Sequence, residues 1–361
     1  MSIWTNWDPL EEVIVGNCPV ASNPSWLLDP KARLFFDEIL KETKEDLDKL
    51  SDLLKNLGVK VFRPEIIEHD QEISLGNFKI RNATYPIVPR DQYLVHGQTI
   101  FQTYTSMPDR YVDSMSYNKI FTDLYDRGYN WISQPPPTLW NFQDNSKWFN
   151  DPSIYHKKYK DSILWHTATM FKCGDALITN NLGPGTQKGL EWMRKNTEIQ
   201  IVNNDHTIVD NWGHIDHGFY MSDDETVFCM NKDWVPKVLR HLNLIPIKEL
   251  YREPYFDYQG YMERYKTSQG KLTVEWLESW MQEWKGFSQQ CVFESNNLVV
   301  DSKNIIFSIE QPQVFELMDK MGIKAHVCKI RHGLFWEAGI HCLTLDVKRR
   351  GEKRRIIKNI I

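Results

Sequence analysis

A chain of 361 residues, 41% hydrophobic and 25% charged, has a globular balance and enough length for one large domain or two ordinary ones. A net charge of −5 and a pI near 6.1 give no electrostatic attraction for nucleic acid or an anionic membrane, so neither is expected as a partner. No run of about eighteen apolar residues occurs, and Met1 leads straight into Trp4-Thr5-Asn6-Trp7-Asp8-Pro9; neither a membrane span nor a secretory leader is expected, and the simplest location is cytoplasmic.

The six cysteines, Cys18, Cys173, Cys229, Cys291, Cys328 and Cys342, form no CxxC pair. That spacing suggests neither a zinc cluster nor a small disulfide framework, and a reducing compartment follows. The 14 tryptophans within a 13% aromatic content suit a lined pocket. The basic cluster Lys348-Arg349-Arg350 with Lys353-Arg354-Arg355 reads as a solvated terminal face.

In chain order, Val13-Ile14-Val15-Gly16 predicts a short strand ended by glycine. Phe35, Phe36, Ile39, Leu40, Leu47, Leu50, Leu53, Leu54 and Leu57 recur at three- and four-residue spacing, which predicts an amphipathic helix over 31–57. Gly58 can cap it, and 59–64 follows as a strand. The same helix, stop and strand pattern returns at 189–202, 234–247 and 314–327. Four copies predict a repetitive α/β architecture whose units could be arranged around a centre. The Pro-, Trp- and Asn-rich stretch 134–162 reads as a long loop or lid, and 272–281 as another amphipathic helix. No linker divides two domains, so a single domain over 1–361 is expected.

Three places carry candidate chemistry. Asp91, in Pro89-Arg90-Asp91, interrupts an extended segment, where it is a turn former or a carboxylate for a cation such as a guanidinium. Gly213-His214-Ile215-Asp216-His217-Gly218-Phe219 alternates as a strand would, with His214 and Asp216 on one side, a proton carrier beside a cation binder. That alternation puts His217 on the opposite face and argues against a metal held by His214, Asp216 and His217. Cys342 follows the small-residue turn Ala338-Gly339 and precedes the strand-like Leu343-Thr344-Leu345-Asp346-Val347. A thiol there is either a nucleophile or a small buried hydrophobe.

Taken together, these stretches resemble the amidinotransferases of the guanidino-group-modifying superfamily. The resemblance runs through Trp7-Asp8-Pro9-Leu10-Glu11-Glu12-Val13-Ile14-Val15-Gly16, Pro89-Arg90-Asp91, Gly189-Leu190-Glu191-Trp192-Met193-Arg194, His214-Ile215-Asp216 and Gly339-Ile340-His341-Cys342-Leu343-Thr344, continuing to Gly351. It implies a five-bladed α/β propeller, pentein-type, built from repeated ββαβ units. By the same resemblance Cys342 is the nucleophile, His214 the general acid/base, and Asp91 and Asp216 the carboxylates that grip a guanidinium. The implied reaction is ping-pong transfer of an amidino group from a donor such as arginine to an acceptor amine, without metal or organic cofactor and often by a homodimer.

The chain departs from the family at His166-Thr167-Ala168-Thr169, where the family carries Asp-Ala-Ala-Asp. Thr169 stands where a carboxylate partners the histidine and guanidinium, and its loss raises the cost of holding a cation in a dry pocket. His166 is a further candidate to line that pocket. Trp234 falls where the family holds the substrate carboxylate with an arginine. These departures leave a transferase for a substrate of different charge, a thiol hydrolase of the same superfamily, and a catalytically silent binder of a small amine or partner protein as competing expectations.

Overall fold

The computed structural model describes residues 2–22, 30–67, 73–75, 78–80, 85–104, 110, 112–136, 161–180, 186–204, 214–251 and 293–357. Most of the expected 134–162 loop and all of the expected 272–281 helix lie outside these residues.

The first part of the chain forms β1 (Leu10–Val15), α1 (Pro30–Asn56), β2 (Lys60–Phe62) and the small hairpin β3 (Ile73–Leu75) and β4 (Phe78–Ile80). Then come β5 (Tyr93–His96), β6 (Thr99–Gln102), α2 (Asn118–Asp126), β7 (Asn130–Ser133), β8 (Met170–Cys173), β9 (Ala176–Asn180), α3 (Gln187–Asn196) and β10 (Gln200–Asn204). The last part holds β11 (Phe219–Met221), β12 (Thr226–Cys229), β13 (Asn243–Pro246), β14 (Leu298–Asp301), β15 (Asn304–Phe307), α4 (Pro312–Lys320), β16 (Lys324–Val327) and β17 (Thr344–Arg349).

Among the described residues these strands make five three-stranded sheets of one design. An antiparallel hairpin is followed by a helix or turn, and the chain then returns as a third strand parallel to the second, as in β5–β6–α2–β7. A parallel neighbour demands such a crossover, which is why each unit reads ββαβ. In the remaining sheet the strand that pairs antiparallel to β1 is β17, from the far end of the chain, with Val15 opposite Thr344 and Val13 opposite Asp346. The two ends of the chain therefore close the ring of blades, and Cys342 sits directly before the closing strand.

α1 shows how sequence pattern places the site. Phe36, Leu40, Leu47, Leu50 and Leu54 are buried on one stripe, packed with Val13 and Val15 of β1 and with Phe335, Ile340 and Leu343 of the Cys342 loop. Each such side chain removed from water contributes roughly 2 kcal/mol. Gly58 ends the helix at φ +84°, its N–H donating to Lys55 O at 2.9 Å while Val59 N–H donates to Leu54 O at 3.0 Å. That left-handed position strains any residue with a Cβ.

Some expectations are corrected. The stretch 234–242 is not one helix but two short 3₁₀ turns, Lys232–Trp234 and Lys237–Leu239. Pro236 separates them, lacking an N–H and holding Val235 extended at ψ 130°. The His214 run is likewise not a strand. β12 reaches back only to the Phe219–Cys229 pair, so Ile215–His217 has no strand partner and closes into a 3₁₀ turn. Nor is the C-terminal basic cluster simply solvated. Arg349 is buried against Asp346 at 2.9 Å, and Arg354 pairs with Asp8 at 2.9 Å and with Asp224 at 2.6 Å.

Candidate active site

One repeated position supplies the site. The 3₁₀ turns Pro89–Asp91, Thr167–Thr169 and Ile215–His217 come just before the first strands β5, β8 and β11 of three sheets. Asn296 stands before β14, and Cys342 before β17. Turn 89–91 packs on turn 167–169, which packs on turn 215–217. Asn296 Nδ2 then donates to Asp216 Oδ2 at 3.0 Å and to Cys342 Sγ at 3.0 Å, completing the circle. The turns thus bring together residues more than 250 apart in sequence, as with Asp91 and Cys342.

All six residues expected from the sequence occupy this ring. Cys342 is buried, and its thiol lies 3.6 Å from Asp216 Oδ2. Its backbone N–H donates to Asn296 Oδ1 at 3.1 Å. Asp216 Oδ2 also takes a hydrogen bond from His341 Nδ1 at 2.6 Å, while Oδ1 has no hydrogen-bond partner among the described residues. One ring atom each of His214 and His217 and a carboxylate oxygen of Asp216 lie within 4.8 Å of one another. His217 is therefore not on the face opposite His214 and Asp216, because a 3₁₀ turn does not alternate.

Asp91, His166 and His214 form a second such group within the same 4.8 Å. The His166 and His214 rings are parallel, 5.3 Å apart at 7°. Asp91 Oδ2 is held by the Arg110 guanidinium, whose Nε also meets Asp113 Oδ2 at 3.1 Å and whose Nη2 meets Val88 O at 3.1 Å. Thr169 is in the expected place, but its hydroxyl turns back to donate to His166 O at 2.7 Å. It supplies no charge. Trp234 packs on the core beneath Lys248, whose Nζ lies 5.1 Å from the ring centroid.

The electrostatics follow from enclosure. Burial pushes the Cys342 thiol well above its usual value, with Asp216 and Asp91 adding to the rise, and the Asn296 hydrogen bond acts in the opposite direction. Burial alone would lift both carboxyls. Instead Arg110 keeps Asp91 below the usual carboxylate range, and His341 does the same for Asp216. Withdrawal from water pulls His166 down to about 3 and His341 to about 4, so both imidazoles are neutral near pH 7. The arrangement can hold a planar cation against carboxylates beside a thiol, or a metal ion between imidazole and carboxylate donors.

Beneath the ring, Arg90 Nε donates to His341 O at 2.7 Å and Thr344 O at 3.1 Å, and its Nη2 reaches Asp346 Oδ1 at 2.8 Å. Lys172 and Arg349 also pair with Asp346. Three basic side chains around one buried carboxylate, two guanidiniums and a lysine that burial pulls down to about 7, thus tie β17, β8 and turn 89–91 together and fix the backbone on either side of Cys342. Sequence reasoning missed Asn296, His341, His217 and Arg110. Position was the available signal for Asn296, since it precedes the first strand of its sheet as the other site turns do.

No protein-family model matches the chain. Glycine amidinotransferase of Xenopus tropicalis is 23% identical over 384 residues, covering 96% of this chain and 82% of that protein. Inosamine-phosphate amidinotransferase 1 of Streptomyces griseus is 24% identical over 378 residues, covering 97% of each. The solved structure of the Streptomyces griseus enzyme superposes with a TM-score of 0.73 at 23% identity over 99% of both chains. A dimethylarginine dimethylaminohydrolase shares the fold alone, at TM-score 0.55 and 10% identity, covering 93% of this chain and 99% of the other. The chain is thus similar over almost its whole length to amidinotransferases, and its five three-stranded sheets have the pentein-type arrangement.

Proposed function

We propose that the chain, acting as one domain, transfers an amidino group from a guanidino donor such as arginine to an acceptor amine through a covalent intermediate on Cys342. The supporting observation is the thiol 3.6 Å from Asp216, on the same ring of turns as His214 and Asp91. A guanidinium bound against Asp216 and Asp91 offers its carbon to the sulfur and stabilises the thiolate that burial disfavours. The thiol proton passes by way of His214 to the leaving amine as the carbon–nitrogen bond breaks and the sulfur–carbon bond forms. An acceptor amine then attacks the same carbon, gives its proton back through His214, and releases Cys342 as a thiol. Positioning and charge supply the catalysis, and each step conserves protons.

Hydrolysis is the second reading, favoured by Thr169, which gives the site one carboxylate fewer than the family pattern, and by the fold shared with a hydrolase. Water would replace the acceptor amine. The five described cysteines are free thiols, which supports a reducing cellular location. Product analysis with arginine and a panel of amines tests the proposal. Ornithine together with a guanidinylated amine supports transfer; urea or citrulline formed without dependence on an acceptor supports hydrolysis; no product from any guanidine contradicts both.

A further inference from the structure

We propose that Asp91, His166 and His214 form a binding site for a divalent transition-metal ion of the zinc class. Their ligand atoms already lie within 4.8 Å of one another, on two neighbouring turns and the residue that opens a third. Zinc at about 2.0–2.2 Å from each of three tetrahedral ligands needs those atoms roughly 3.5 Å apart, so shifts of under about an ångström per side chain close the site. Two imidazoles, borderline donors, with one carboxylate oxygen make a ligand set that zinc accepts, and three protein ligands leave a coordination position open.

A second observation points to a ligand here. Asp91 is 8% exposed, yet its Oδ1 has no hydrogen-bond partner among the described residues, and the same holds for His166 Nδ1. Buried polar atoms in that condition are costly unless something binds them. Arg110 orients the carboxylate by holding Oδ2, as partners behind metal ligands do. Its charge does not cancel the site, because Asp91 and Asp113 together set two carboxylates against one guanidinium. The neighbouring group of His214, Asp216 and His217 shares His214 and also leaves a carboxylate oxygen, Asp216 Oδ1, without a hydrogen bond among the described residues, so the variants below separate the two groups.

Titration of the chelator-treated full chain with Co²⁺, followed by visible absorption, tests the site. One equivalent is expected to give the ligand-field bands of a four-coordinate ion, and Zn²⁺ is expected to abolish them. His166→Ala, His166→Gln and Asp91→Asn are each expected to weaken binding by at least about tenfold, while melting curves in chelator show that the variants fold. No stoichiometric binding overturns the proposal. So does affinity that survives His166→Gln, or affinity that falls in His217→Ala or Cys342→Ala but not in the His166 variants. Bound metal would occupy the Asp91 and His214 atoms that the proposed reaction uses and so compete with a guanidine; the readout is metal alone, so its outcome is independent of whether arginine is turned over.

Discussion

Asn296 grips Cys342 from two sides, accepting its backbone N–H at Oδ1 and donating to its sulfur from Nδ2 at 3.0 Å. One carboxamide thus sets both the direction of the thiol and part of its acidity. Gly339 makes room for it: a Cβ there would lie 2.6 Å from Asn296 Oδ1 and 2.8 Å from its Cγ.

Asn296→Ala is expected to lower turnover roughly 10- to 100-fold, the equivalent of losing about 1–3 kcal/mol of hydrogen bonding to a buried group. Without the Nδ2 donor the thiol pKa rises further, so alkylation of Cys342 by iodoacetamide, followed by mass spectrometry, is expected to shift to higher pH. Gly339→Ala must displace the same amide and is expected to reproduce both effects. The double variant should then be no worse than either single one, and additive losses would contradict the coupling.

Asp216→Asn separates acidity from catalysis. Asp216 is among the groups that raise the Cys342 thiol, second to burial itself. Removing the charge is expected to lower the thiol pKa and speed alkylation near neutral pH, while turnover of a cationic guanidine falls by two orders of magnitude or about 3 kcal/mol. A parallel fall in both rates would show that Asp216 acts by holding the structure together.

Asp346 carries the acid stability of the ring. Its carboxyl is buried, but Lys172, Arg349 and Arg90 hold it well below the usual carboxylate value. A depressed folded-state pKa gives stability that is present above the unfolded value near 4 and is lost as pH falls below it toward the folded value. Asp346→Asn, which strands the buried Arg90 and Arg349 guanidiniums and removes the charge that holds the proton on Lys172, already pulled down to about 7 by burial, is expected to cost about 3–5 kcal/mol at pH 7. Melting curves from pH 7 to pH 3 should show the gap between the two proteins narrowing below pH 4. A constant gap would contradict the assignment.

Where the apolar spacing was strong, sequence and structure agree. Leu40, Leu47, Leu50 and Leu54 write a helical stripe that survives into the core, and α3 and α4 show the same logic in shorter form. The fifth ββαβ unit, β5–β6–α2–β7, was not among the four copies read from the sequence. The His214 run failed differently: its pattern is that of a strand, but a strand needs a partner, and β12 ends too early to provide one. Asp91, His166, His214, Asp216 and Cys342 were picked out in the sequence, whereas His217 and His341 were passed over and Asn296, an amide, advertises itself only through its place before β14. Arg110 was invisible for a related reason, since only the fold brings it to Asp91.

Intact-protein mass spectrometry after incubation with arginine, quenched in acid, tests the central claim most directly. The account predicts an amidino adduct that maps to the Cys342 peptide, disappears on addition of an acceptor amine or with time in water, and never forms in Cys342→Ala. Guanidino turnover by the alanine variant, or an adduct on another residue, would contradict it.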